Sequence, residues 1–225
     1  MILYILNKLL GRGAFHEVID CLITALEAKD PYAAGHSSKV ADMSHELGKA
    51  MGLRGVALEN VHLAAHLHDI GKLSIPESIL NKQGKLLPHE RAQIEEHSEI
   101  GFNILSQSKG LKNIAKIVLC HHERWDGKGY PLGLKGEKIP LGARIIAVAD
   151  SIDAMTSDRP YRQAMTWEQC REEVLRNKGL QFDPVVVEAA EKLWGKWERA
   201  MGEQEYVYIN GKQGALRTKY CSVKK

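Results

Sequence analysis

Paired cysteines, basic blocks and aromatic surfaces are all missing from this sequence. Its four cysteines include no C-x-x-C pair, which argues against a thiolate zinc site or a redox motif. With so few cysteines, a reducing, cytoplasmic setting is expected. The chain has no block of lysine and arginine and no interleaved aromatic residues, so a nucleic acid polymer is not expected as a partner. The net charge of +3 still suits a small anionic ligand.

A long apolar run is missing as well. The N-terminal segment MILYILNKLL is interrupted by Asn7 and Lys8 and ends at Gly11, whereas a transmembrane helix needs about 20 apolar residues. The segment also lacks the basic region and cleavage site of a signal peptide. We therefore expect no integral membrane segment. A helix used for packing or dimer contact is predicted, with membrane-surface contact as the alternative.

Helical periodicity is what the sequence does have. Helices are predicted over residues 14–29, 36–52, 56–71, 88–107, 110–123, 141–157, 167–177 and 184–200. Pro88 and Pro184 suit the first turns of two of them. The fold class is predicted to be all-α, and the alternation around Asn210 and Gly211 is compatible with a small C-terminal β-hairpin. We expect an N-terminal extension (1–13), one helical domain (14–200) and a C-terminal appendage (201–225).

Several polar residues fall on the apolar faces of these helices. His68, for example, shares a stripe with Val61, Ala64 and Ala65. A lone inward histidine is usually a core residue with an ordinary hydrogen bond, but inward polar residues on five helices need common partners. A metal centre supplies such partners. The candidate ligands are His36, His68, Asp69, His97, His121, His122 and Asp150.

This set has too many ligands for one tetrahedral zinc ion. It suits two octahedral-like divalent ions bridged by Asp69. Imidazoles and carboxylates without thiolates favour iron or manganese and are compatible with zinc, nickel or cobalt. His62 and His66 have ligand spacing but lack the glutamate of an H-E-x-x-H motif, so a structural or supporting role is favoured for them.

Two segments, HLHDIGKLSIP and HHERWDGKGYP, carry a family resemblance. The first contains the His-Asp doublet of the HD superfamily of metal-dependent phosphohydrolases, and the second resembles the signature of its HD-GYP branch. The likeness continues through DPYAAGHSSKV, ARIIAVADSIDAMTSDRPYR and GLQFDP, and covers about residues 20–195. It implies an HD-domain helical bundle around a metal centre and hydrolysis of cyclic di-GMP to pGpG or on to GMP.

The resemblance assigns the same seven ligands and adds substrate contacts. Lys72, Arg159 and Arg162 match phosphate-contacting positions, and Lys72 and a metal-bound water are the candidates for the leaving-group acid. Helix capping by Lys72 and surface ion pairs for the arginines are the alternatives. Tyr130 and Asp153 are expected to lie near a guanine or to shape the pocket. Glu123 and Asp126 of the signature loop, which also contains Gly127, Gly129 and Pro131, are expected to brace it or to orient a ligand.

The expected mechanism is attack on phosphorus by a hydroxide that the metals activate. Tyr32 stands where relatives with a third metal carry glutamate, which implies a two-metal site. The N-terminal extension is too short for a sensory domain, so regulation through a homodimer or a partner protein is expected, or the chain is a fragment. Alternatives are another cyclic dinucleotide or nucleotide as the substrate, and a non-catalytic cyclic di-GMP receptor or scaffold.

Overall fold

Helices form the architecture of the computed structural model, which describes residues 17–29, 35–158 and 163–209, with side chains described as far as residue 200. Within these ranges there is no strand, and an isolated bridge joins Lys178 to Phe182. The predicted all-α class is therefore confirmed. None of the described helices is long and apolar enough to cross a membrane.

The longest connection between neighbouring α-helices of the described residues is the segment 120–140. The first, α1, covers residues 17–29. The α-helices that follow are α2 (His36–Ala50), α3 (Gly55–Leu67), α4 (Glu77–Leu80), α5 (Pro88–Glu95), α6 (His97–Ser106), α7 (Lys112–Leu119), α8 (Leu141–Thr156), α9 (Trp167–Arg176) and α10 (Pro184–Ile209). Short 3-10 segments cover Ile70–Ser74, Lys109–Leu111 and Gly136–Lys138.

The core is centred on α3 and α8. Both helices pack against α2 and α7, while α6 packs against α7 and the segment Ile70–Ser74. On α8, Ile145, Ile146 and Ile152 are completely buried, and each buried side chain of this kind contributes roughly 1.5–3 kcal/mol. Aliphatic packing thus fixes the helix ends from which the polar candidates project.

The helix ends next to the candidate ligands differ from the sequence prediction. The helix α3 stops at Leu67 rather than at residue 71, and α7 stops at Leu119 rather than at residue 123. The helix predicted over 88–107 is two helices, α5 and α6, separated at Glu96. The helices predicted over 56–71, 88–107 and 110–123 were therefore too long. Pro88 and Pro184 are the first residues of α5 and α10, as predicted.

The chain divides into two compact units, Met1–Glu191 and Lys192–Lys225, and the division falls within α10. Because α10 continues to Ile209, residues 205–209 are helical and do not form the first strand of the expected hairpin. Periodicity cannot separate helix from strand in so short an apolar run. The remaining hairpin residues and the N-terminal segment lie outside the described residues. The domain limits at 13/14 and 200/201 stay predictions.

Candidate metal centre

The seven predicted ligands converge from separate parts of the fold. Ligand atoms lie within 4.8 Å of one another in each of two groups, His36 with His68 and Asp69, and His97 with His121 and His122. Asp150 of α8 joins the first group, with its Oδ1 3.3 Å from His36 Nε2. The structure therefore brings together all of the side chains that the helical faces and the family resemblance selected.

Asp69 stands between the two groups. Its Oδ2 lies 3.4 Å from His68 Nε2, and its Oδ1 lies 3.5 Å from His97 Nε2. The residue is only 4% exposed, so water does little to offset its charge. One carboxylate thus faces both groups, one oxygen to each.

Three of the histidines close the ends of helices. The Nδ1 atoms of His68, His97 and His121 lie within 2.7 Å of the backbone oxygens of Ala65, Ile94 and Val118, each three residues earlier. These oxygens belong to the last turns of α3, α5 and α7, where carbonyl groups have no partner within the helix. The hydrogen bonds explain why the helices end earlier than periodicity predicts.

The same bonds fix the tautomer of each ring. A carbonyl oxygen can only accept, so Nδ1 carries the proton. Burial, the largest cause, keeps the pKa of His97 below its ordinary value and the pKa of His121 far below it, so both rings are neutral at pH 7. Their Nε2 lone pairs then face each other at 3.2 Å. A cation is what such an arrangement accommodates, and neutral imidazole is the form that binds metal.

The carboxylates are held in the ionised form. Burial alone would raise the pKa of Asp69, but Lys72 and neighbouring histidines outweigh it and hold that pKa well below the ordinary value. The pKa of Asp150 is likewise lowered, because hydrogen bonding and charge attraction from His36 outweigh burial. Ionised carboxylates beside neutral imidazoles form a donor set that fits divalent metal ions.

His36 differs from the other histidines because carboxylates meet both of its nitrogens. Burial tends to lower its pKa, but the hydrogen bonds that its ring donates to Asp150 and Asp153 outweigh burial and raise the pKa to about 10. Asp153 Oδ2 lies 2.6 Å from Nδ1, on the side away from Asp150. In the metal-free protein a proton therefore occupies His36.

The predicted substrate contacts take up different positions. Lys72 Nζ lies 2.6 Å from Asp69 Oδ2, so its charge is at the centre of the site. The Tyr130 ring lies 4.8 Å from the His122 ring at an angle of 30°. Asp153 is 2% exposed and contacts His36 directly. Arg159 and Arg162, like Tyr32, lie outside the described residues.

Glu123 braces the signature loop from within. It is 3% exposed, and its two carboxylate oxygens accept the backbone N–H groups of Leu132 at 2.7 Å and Leu134 at 2.9 Å. Gly129 comes so close to the preceding turn that an added Cβ would lie 2.5 Å from the His122 oxygen. These contacts hold Tyr130 against His122, and they confirm the bracing role expected of Glu123.

A second segment, residues 180–183, anchors the other side of the loop. The N–H groups of Trp125 and Asp126 donate to the backbone oxygens of Gln181 and Leu180. Asp183, at the start of α10, pairs with Arg144 of α8 and also accepts the N–H of Val185. The loop therefore lies between a buried glutamate and a segment tied to α8.

Comparison with known proteins agrees with this geometry. A family model described as HD domain matches residues 20–186. The chain belongs to the HD domain family. A cyclic di-GMP phosphodiesterase of Thermotoga maritima is 44% identical over 179 residues, which is 79% of this chain and 49% of that protein. A 3'3'-cGAMP-specific phosphodiesterase 2 of Vibrio cholerae is 40% identical over 188 residues, covering 83% of this chain and 36% of that protein.

Solved structures agree on the HD-domain fold. The crystal structure of a cyclic GMP-AMP-specific phosphodiesterase of V. cholerae aligns with a TM-score of 0.59 at 22% identity, covering 79% of this chain and 48% of that chain. The curated relatives confirm the HD-GYP resemblance. This HD-domain chain spans about half or less of the length of the first relatives it matches.

Some residues of this HD domain were missed by sequence reasoning. Lys39 lies one helical turn after His36 and approaches Asp153 Oδ1 at 3.6 Å; its spacing from His36 was the available signal. Arg144 showed no signal, because its partner Asp183 is 39 residues away. His62 and His66, whose ring centroids are 4.6 Å apart, belong to neither ligand group.

Proposed function

We propose that this chain is a metal-dependent phosphodiesterase that hydrolyses cyclic di-GMP, mainly to pGpG. The observation that carries the proposal is the convergence of two groups of histidines on the ionised carboxylate of Asp69, with Asp150 beside the first group. Relatives named cyclic di-GMP phosphodiesterases support the substrate class.

Two divalent ions are proposed, one for each ligand group, with Asp69 between them. Nitrogen and oxygen donors without thiolate favour iron or manganese and are compatible with zinc, nickel or cobalt. Ions bound there would supply the Lewis acidity that activates water and neutralises phosphoryl oxygens. Tyr32 in place of the glutamate of three-metal relatives is the reason for proposing two ions and pGpG as the main product.

The chain's own residues have distinct parts in the reaction. A water molecule gives up a proton, its oxygen bonds to phosphorus, the bond to the departing ribose oxygen breaks, and that oxygen receives a proton. Lys72, beside Asp69, can contact a phosphoryl oxygen or donate this proton. Arg159 and Arg162 are proposed to hold further phosphoryl oxygens, while Tyr130 forms the wall on which a guanine base rests.

The first test is turnover by the metal-free protein reloaded anaerobically with iron or manganese. Cyclic di-GMP should be converted mainly to pGpG, as measured by chromatography, with about two ions bound per chain. Absence of cleavage with tight binding of cyclic di-GMP would favour the receptor or scaffold role. Absence of both would favour another substrate.

A second candidate substrate is 3'3'-cGAMP, in which one guanine is replaced by adenine. The V. cholerae relative named as specific for it is 40% identical over 188 residues. Both substrates present the same phosphodiester to the site. Parallel measurement of kcat/KM for the two decides between them.

Three variants test the residue assignments. Asp69→Ala should abolish metal retention and turnover, and normal values for both would overturn the site. Arg159→Ala and Arg162→Ala should raise KM with metal content intact. Arg176→Ala is the matched control, because Arg176 is an exposed arginine of α9 paired with Glu173. Unchanged KM values for Arg159→Ala and Arg162→Ala would count against the phosphate contacts.

A homodimer or a regulatory partner and a cytoplasmic location complete the proposal. Light scattering of the purified protein measures whether it forms the homodimer. A monomer at all concentrations would favour a separate partner protein as the regulatory input.

A further inference from the structure

His36 cannot be oriented in the way that the other three anchored histidines are. His68, His97 and His121 bond to carbonyls of helices that have just ended. His36 is the first residue of α2, as His97 is of α6, but its Nδ1 faces the Asp153 carboxylate and not a carbonyl three residues earlier. The groups left without partners at a helix start are N–H donors, not carbonyl acceptors. The helix therefore offers His36 no acceptor for its Nδ1 proton.

The missing acceptor comes from α8. Asp150 and Asp153 are one turn apart on that helix, so their side chains point to the same side. Asp150 Oδ1 lies 3.3 Å from His36 Nε2, and Asp153 Oδ2 lies 2.6 Å from His36 Nδ1. One helix thus supplies a candidate co-ligand to one nitrogen of His36 and a hydrogen-bond acceptor to the other.

Asp153 is itself held in place. It is 2% exposed. Its second oxygen, Oδ1, lies 3.6 Å from Lys39 Nζ and accepts the Ser157 hydroxyl at 3.3 Å. The side chain of Lys39 is 39% exposed, so solvent screens its charge in part. One oxygen of the Asp153 carboxylate thus accepts the Nδ1 proton of His36, and the other faces the partly screened charge of Lys39.

We propose that Asp153 is a positioning residue that holds His36 in its metal-ligating orientation, with Lys39 moderating the charge that Asp153 lends to the ring. The inference rests on the proposed metal-dependent function. A carboxylate behind a ligand histidine fixes the ring and increases its basicity, and loss of such a partner typically costs 10–100-fold in metal affinity. Asp153 therefore acts through His36, whereas the family resemblance implied a place near a guanine or a role in shaping the pocket.

Three variants separate orientation from charge. Asp153→Asn keeps an oxygen that can accept the Nδ1 proton but loses the charge, and it should weaken the binding of one metal ion about 10-fold. Asp153→Ala loses both and should weaken it about 100-fold. Lys39→Met removes a cation from the vicinity and should tighten binding a few-fold at most, given its exposure. Ser157→Ala, the matched control, should change affinity less than either Asp153 variant.

The measurement is a Co²⁺ titration of the metal-free protein, followed by visible absorption in the presence of a competing chelator. Only one of two binding steps should weaken, because His97, His121 and His122 do not contact Asp153. Equal losses for Asp153→Asn and Asp153→Ala would reduce the effect to charge and overturn the positioning role. Wild-type affinity in both would overturn the whole inference, and weaker binding by Lys39→Met would overturn the role of Lys39.

A folding control and the wild-type activity assay keep the result interpretable. Thermal melting of each metal-free variant shows whether it folds; if Asp153→Ala does not, the shape-matched Asp153→Asn carries the test, with unchanged affinity as the overturning result. Failure of the proposed function has a different signature. The wild-type protein would then bind metal but cleave neither cyclic dinucleotide, while the order of Co²⁺ affinities would still report on Asp153.

Discussion

Replacing Glu123 by glutamine tests whether the buried carboxylate holds the signature loop. The two side chains have nearly the same shape, but the amide keeps one acceptor oxygen and turns an NH₂ group toward a backbone N–H. One hydrogen bond to a charged group, worth about 1.5–3 kcal/mol, is lost, and the other becomes an ordinary one, about 1 kcal/mol weaker. Removing a buried charge offsets part of this cost, so a net loss of about 2–3 kcal/mol is expected.

Amide hydrogen exchange is the direct assay, because the loop can open without unfolding the core. A loss of about 2–3 kcal/mol corresponds to about 30- to 150-fold faster exchange at the Leu132 and Leu134 amides. Metal content should be retained, while kcat/KM falls because Tyr130 is no longer held against His122. Glu137→Gln is the control, since Glu137 is exposed in the same loop. Wild-type exchange at both amides in Glu123→Gln would refute the reasoning.

Three further changes have defined outcomes. Gly129→Ala should displace the loop, because the Cβ of the alanine would lie 2.4 Å from the backbone nitrogen of Arg124. KM should rise with metal content unchanged, and a normal KM would contradict the close approach. Asp183→Ala leaves Arg144 without its buried partner and should lower the free energy of unfolding by about 3–5 kcal/mol in urea, whereas a loss below about 1 kcal/mol would argue against the pair. In the metal-free protein the pKa of His36 is raised to about 10. The stabilisation that the protonated ring gives the folded state is therefore complete below about pH 6.5 and is lost as the pH rises through 10. Because a bound metal ion displaces that proton, the affinity for the metal ion should rise about tenfold per pH unit between pH 7 and 9. Calorimetry of metal binding in two buffers measures the released proton, and a result without proton release would contradict this prediction.

The ligand set was predictable from sequence because burial of polar groups is a strong constraint. His36 shares its helical stripe with Val40, Met43 and Leu47, and all four are buried in the structure. A polar residue on such a stripe needs an internal partner, and several of them need a common one. Helical periodicity was therefore sufficient to find the candidate ligands, and the family resemblance selected the same residues.

Contacts between distant segments could not be predicted in the same way. Asp153 reaches His36 across 117 residues of sequence, and Arg144 reaches Asp183 across 39. In each pair, the packing of two segments decides which charged residue meets which. Periodicity states which face of a helix is buried but not which residue on another helix it meets.

The errors at the helix ends have a common cause that bears on metal binding. The histidines after α3, α5 and α7 bond to terminal carbonyls, so three helix C-termini are directed toward the ligand groups. Each C-terminus carries roughly half a negative elementary charge. The group His97, His121 and His122 consists of neutral imidazoles, and its charged neighbours among the proposed ligands are Asp69 and, near His122, Asp150. The C-termini of α5 and α7 adjoin this group and add negative potential where a divalent cation is proposed to bind, while the N-terminus of α6 at His97 offsets part of it. The early helix ends therefore orient the imidazoles and also make that position more favourable for a cation.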